Sequence, residues 1–206
     1  MKHGKSPNVR MMLDLKIKEG QSKMMILKKS LMFSTMVAVL VVSGVAQAPP
    51  ELKAKLDAQI KLLKTVSADP QVISAVKAYN AVPPSAEALA MTNEKWRSLS
   101  LFDPFVRSIG KTPVSAFLKS ETNDVIAKIF VSGANGGKVG FDAKTEHWTH
   151  KGLPKHEVPM TGQMWIGPVK QDDSTGLMLI QVGLPVLDGG KPIGSIVFGL
   201  RVDKLR

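Results

Sequence analysis

The sequence predicts an α+β fold: N-terminal helices followed by an antiparallel sheet of about five strands. Three observations lead there. From Glu51 onward, apolar residues recur at helical spacing between Pro-marked restarts. From Asn123 onward, the pattern changes to alternating, β-branched runs. Those runs are separated by Gly- and Asp-rich turns rather than by crossover helices, so neighbouring strands run antiparallel.

The elements follow in order. ELKAKLDAQIKLLKTVSA places Leu52, Leu56, Ile60 and Leu63 on one helical face, with Lys53, Lys55, Lys61 and Lys64 mostly on the others. Asp69-Pro70 is a restart, with Asp at the N-cap and Pro in the first turn, and QVISAVKAYN then runs to the Pro83-Pro84 pair. Ser85 caps a third helical stretch, SAEALAMTNEKWRSL. FVRSIGKTPVSAFLKSE reads as two short helices around a Gly110–Pro113 turn. VIAKIFVS, the GANGG turn and KVGFDA form a first hairpin. WIGPVK, the QDDSTG turn and LMLIQVGLPV form a second, and DGGK leads into the last strand, PIGSIVFGLRV.

Residues 24–46 have the anatomy of a signal peptide. Lys28 and Lys29 precede an apolar core from Leu31 to Val42, and the small residues Ser43, Gly44, Ala46 and Ala48 follow. Cleavage after Ala46 avoids placing Pro49 just beyond the cut. The alternative is an uncleaved anchor, for which Leu31 to Ala48 is at the short edge of a membrane span. Residues 1–23 fit neither a signal nor a fold and are expected to be a non-native upstream extension, with Met24 or Met25 as the start. The expected mature region is 47–206, one domain located in the periplasm.

The basic excess belongs largely to the leader: residues 1–46 hold eight Lys/Arg against two Asp/Glu, and residues 47–206 hold twenty against fifteen. Without basic clusters interleaved with aromatics in the mature region, nucleic acid is not an expected partner. The chain has no cysteine. That excludes thiolate zinc sites, iron–sulfur clusters, C-x-x-C-H haem attachment and thiol catalysis. No cofactor is expected.

Residues 142–163, DAKTEHWTHKGLPKHEVPMTGQ, lack a clear period and read as an ordered cover between two strands. This segment holds His147, His150 and His156, three of the chain's four histidines.

In the order and spacing of these motifs, from about Glu51 to Leu205, the chain resembles a single Cache domain, the extracytoplasmic PAS-like sensor module. The most specific part is WIGPVKQDDSTGLMLIQVGLPVLDGGKPIGSIVFGLRVDKL, supported by the first hairpin, KIFVSGANGGKVGFDAKTEHW. The resemblance implies a small-ligand pocket between the sheet and the loop after the first hairpin. The family's amino-acid-binding branch has an Arg two residues before a Trp, an aromatic after it and an Asp on the last strand. Here Trp148 matches the Trp, whereas Glu146, Thr149 and Gly199 occupy the other positions, which argues against α-amino acids. The chain reads as a sensor module without its own output region, working with a membrane-bound signalling partner. Its long first helix is a candidate homodimer surface.

Trp148 and Trp165 are the expected pocket walls, and Lys144, His147, His150, Lys155 and His156 the expected polar groups for a small anion such as a carboxylate. Histidine protonation would then couple affinity to pH at about 6 to 7. The alternative is a periplasmic metal-handling protein using His147, His150 and His156. Catalysis is not expected: there is no G-x-S-x-G, and the Ser74–Lys77 S-x-x-K match lacks its companion motifs.

Overall fold

The computed structural model describes residues 50–173 and 175–205; the expected upstream extension and leader lie outside the described residues. Six helices come first: α1 Pro50–Ser67, α2 Pro70–Ala81, α3 Ala86–Leu89, α4 Asn93–Ser98, α5 Pro104–Gly110 and α6 Pro113–Ser120. Strands β1 Ile126–Gly133 and β2 Lys138–Phe141 follow, then helix α7 Pro154–Met160. Strands β3 Trp165–Ile166, β4 Lys170–Gln171, β5 Met178–Asp188 and β6 Lys191–Arg201 complete the sheet, and a 3₁₀ turn spans Val202–Lys204.

The helix boundaries are chemical. Asp69, Asp103 and Thr112 each cap a helix through a side-chain oxygen that accepts a backbone N–H, and each is followed by Pro in the first turn. Ser85 caps α3 as expected. The third helical stretch divides in two, however, because the Thr92 hydroxyl accepts from Lys95 N and starts α4 afresh. A second cap inside a helical pattern ends one helix and begins another.

The six-stranded antiparallel sheet has the order β2-β1-β6-β5-β3, with β4 also pairing with β5. It holds one strand more than expected. WIGPVK is not one strand but two short ones, since Gly167-Pro168 interrupts the ladder and Pro has no N–H to donate. Asp188 and Lys191 pair across the last hairpin, whose Gly189 and Gly190 take φ of 56° and 83°, a left-handed pair that favours glycine.

The sheet is buried on both faces. One face presents Ile129, Val131, Val182, Leu184, Ile196 and Phe198 to Leu56, Ile60 and Leu63 of α1, Val72 and Val76 of α2, and Val114 and Leu118 of α6. The expected apolar face of α1 is therefore the observed one, apart from Leu52, whose side chain lies outside the described residues. The other face carries Phe130 and Val197 beneath a second cluster of Met91, Trp96, Val106, Ile109, Phe141 and Trp148. Helix α7 packs on this second face as well. Gly183 lets it approach: a Cβ there would stand 2.8 Å from the Lys155 carbonyl oxygen.

Candidate functional site

Strand alternation sorts the side chains of β1. Ile129 and Val131 point to the main core, and Lys128, Phe130 and Ser132 point to the second face. The register extends this row across the sheet: Lys128 pairs with Gly199, which pairs with Gln181 on β5. Gly199 presents no side chain between the lysine and the amide. A Cβ there would lie 3.0 Å from Leu179 and 3.2 Å from the Lys128 Cβ.

Residues 142–153 are pinned over this face. Gly137 bridges to Thr149, His150 N donates to Gly136 O at 2.9 Å, and Asn93 Oδ1 accepts from Trp148 N and Thr149 N. Trp96 Nε1 donates to Thr145 O at 2.6 Å. The expected irregular cover is thus partly helical. Pro154 opens α7 in its first turn, and seven residues with a second proline are too short to show a helical period.

Between floor and cover lies a cavity of about 60 Å³, lined by Lys128, Phe130, His147, His150, Lys155 and Gln181, with Asp172 and Glu146 at its sides. The His150 ring stacks on Phe130 at 4.4 Å between centroids, and its Nδ1 is 3.4 Å from Ser132 Oγ. Lys128 Nζ donates to both carboxylate oxygens of Asp172 at 2.7 Å, a buried ion pair. Lys155 Nζ donates to Gln181 Oε1 at 3.0 Å. Behind Phe130, the fully buried Lys138 places Nζ 4.4 Å from the ring centroid and makes no hydrogen bond.

The electrostatics follow from this crowding. Burial, then the charges of Lys155 and Lys128, hold the Lys138 amine well below the usual lysine range. Lys155 is pushed down to about 8, first by burial and then by Lys128 and Lys170, against the opposing charges of Asp172 and Glu146. Burial lowers all three loop histidines, with Lys138 and Lys155 adding to the effect at His150. Burial thus works against the expected histidine switch at pH 6 to 7, and Lys155 is a further group in this cavity that titrates near neutrality.

The expected site residues separate into two sets. His147, His150 and Lys155 meet at the cavity. His156 is buried nearby, its Nδ1 sharing a 2.7 Å hydrogen bond with Ser195 Oγ, but it does not line the space. Trp148 belongs to the aromatic cluster, 5.6 Å from Trp96 and 5.2 Å from Phe105 between ring centroids. Trp165 is half-buried on β3, under Gly167. Lys144 sits on the far side of the loop, its Nζ 5.2 Å from the Trp96 ring. Among the described residues no group of three or more His, Asp or Glu is placed to hold a metal, and the three histidines do not converge. Lys77 of the S-x-x-K match pairs with Asp188 at 2.8 Å.

Sequence reasoning missed Lys128, Lys138, Asp172 and Gln181. A signal existed: Lys128 and Gln181 are polar residues at strand positions flanked by apolar ones, in AKIF and IQVG. Inside a doubly covered sheet, such a residue must find a partner.

No family model matches the sequence, and no curated protein matches it. Among solved structures, the chain is similar to the sensor domain of the V. cholerae histidine kinase DctB, with a TM-score of 0.44 and 11% identity over 79% of this chain and 55% of that one. It is similar to the ligand-binding domain of the Pseudomonas aeruginosa amino acid chemoreceptor PctC in complex with GABA, with a TM-score of 0.41 and 13% identity over 75% of this chain and 61% of that one. The ligand-binding domain of the Campylobacter jejuni chemoreceptor Tlp3 in complex with 4-methylisoleucine gives 0.38 and 15% over 76% and 62%. This chain therefore spans less than two thirds of the length of each. By their names, all three are sensor or ligand-binding domains.

Proposed function

We propose that this chain is a periplasmic sensing domain that binds a small anionic metabolite, in the first instance a short carboxylate, and reports to a membrane-bound signalling partner. One observation carries the reading. Three lysines, Lys128, Lys138 and Lys155, gather on one sheet face, and Asp172, buried among them, is engaged by Lys128, with Glu146 at the side of the cavity. Among the described residues, Lys155 has only a neutral amide as its hydrogen-bond partner, and Lys138 has none. An anion in the cavity would give Lys155 a charged partner, displacing or joining the Gln181 contact. Binding is what such a set supports: it offers donors around an apolar ring.

The cavity has the volume of roughly two water molecules. This favours a ligand of one or two carbons, or a longer one that lifts the cover. The side chain missing at Gly199 and the Glu146 and Thr149 replacements keep α-amino acids out of the proposal. Export rests on the Lys28-Lys29 leader, and among the described residues no helix is long and apolar enough to cross a membrane. The solvated face of α1, where Leu62 is exposed, is the surface proposed for a homodimer.

The test is calorimetry and thermal shift of the full chain against formate, acetate and short dicarboxylates, with neutral amides as controls. At least one carboxylate should bind, with affinity reduced about tenfold or more in Lys155→Gln, the scale of one lost charge-assisted hydrogen bond. Equal binding of an acid and its amide, or equal affinity in the variant, refutes the reading.

A further inference from the structure

The site holds an amine, and the amine faces the cavity. Lys155 Nζ lies 6.0 Å from the Phe130 ring centroid and is held by Gln181 Oε1 alone, with no ion pair among the described residues. We propose that Lys155 is a modification site, whose amine adds carbon dioxide to form a carbamate inside the cavity. This rests on the reading of the cavity as an anion site, and it adds that the anion can be made in place.

The chemistry balances without a redox partner. The lone pair of Nζ attacks the carbon of CO₂, a C–N bond forms, one C=O π pair moves onto oxygen, and one amine proton leaves to solvent. The product is an N-carboxylate, with the charge on its two oxygens. Three features of the cavity favour it. Its volume of about 60 Å³ suits a three-atom reactant. Its surroundings reverse sign in their effect: Lys128 and Lys170 destabilise an ammonium at Lys155 and stabilise a carboxylate there. Gln181 can serve both states, since its amide accepts from the amine through Oε1 and, turned over, donates to a carbamate through Nε2.

The reactive form is also present. CO₂ adds only to the unprotonated amine, and Lys155, with a value of about 8, holds roughly two-hundredfold more of it near neutral pH than an ordinary lysine at about 10.4. Lys138 is the other buried amine, but it does not line the cavity and has no path for the reactant. Glu146, Asp172 and, at the rim, Asp173 oppose the new anion, and Lys170 offsets the last of these.

The experiment equilibrates the full chain with ¹³C-labelled bicarbonate and CO₂ near pH 7.5. Carbon NMR separates a carbamate from free or bound bicarbonate, and alkylation with a trialkyloxonium salt followed by peptide mass spectrometry locates it. The expected result is a carbamate on Lys155 at least tenfold above that on exposed Lys53 or Lys61, absent in Lys155→Arg, which keeps the cation but cannot react. No carbamate in the folded native chain, or equal labelling of the exposed lysines, overturns the proposal. Acetate titration of the same sample keeps the two ideas apart. Acetate binding without carbamate refutes this inference alone, and carbamate without carboxylate binding refutes the ligand reading alone.

Discussion

Lys138 should cost the protein stability, and removing its charge should return it. Its side chain is sealed, with Nζ against Phe130 and no hydrogen bond. An unsatisfied buried polar group costs about 1–3 kcal/mol in mutational data, and the cation–π contact returns about 0.5–2 kcal/mol of that. Met has a similar length and no polar terminus, so Lys138→Met is expected to stabilise by about 1 kcal/mol, or roughly 2–4 °C in melting temperature for a domain of this size. Urea unfolding at pH 7 should show a higher midpoint with an unchanged slope. The pH dependence gives a second check. The native amine titrates below its unfolded value of about 10.4, so the unfolded chain binds the extra proton and wild-type stability rises with pH through that window. The Met variant lacks this gain, and its advantage should shrink towards pH 10. A variant that is less stable than wild type at pH 7, or an advantage that grows with pH, refutes the account of Lys138 as an uncompensated buried amine.

Asp172→Asn removes the carboxylate from a buried ion pair and should destabilise by about 3 kcal/mol, read as a fall in the urea midpoint, because Lys128 stays buried without its countercharge. Trp148→Ala should cost about 3–5 kcal/mol by emptying a site between Trp96 and Phe105, and melting curves without ligand would reveal it; a loss of binding in that variant would report unfolding. Affinity for a carboxylate should hold below pH 7.5 and fall by up to about tenfold per unit above about 8, as Lys155 sheds its proton; calorimetry from pH 6 to 9.5 would show it, and a fall centred on pH 6 to 7 would return the role to the histidines.

The sequence by itself determined the order of elements and most of their ends. The restart at Asp69-Pro70, the Ser85 cap and the Asp188–Lys191 turn are local chemistry, in which a side chain meets a backbone group a few residues away. The helical face Leu56, Ile60, Leu63 is equally local, because a single period defines it. The cover loop and its histidines could be placed for the same reason, since 142–163 is the one stretch without a period. What those residues touch was decided only in three dimensions. Trp148 looked like a pocket wall because large aromatics line pockets and cores alike, and Asn93 and Trp96, some fifty residues earlier, draw it into the core. Antiparallel register brings Lys128 and Gln181 to one face across Gly199, and the turn after β4 carries Asp172 to Lys128. Register is a pairing between distant segments, and so is the field that sets a pKa. A histidine can be read from a sequence, but its charge depends on the lysines that folding brings around it.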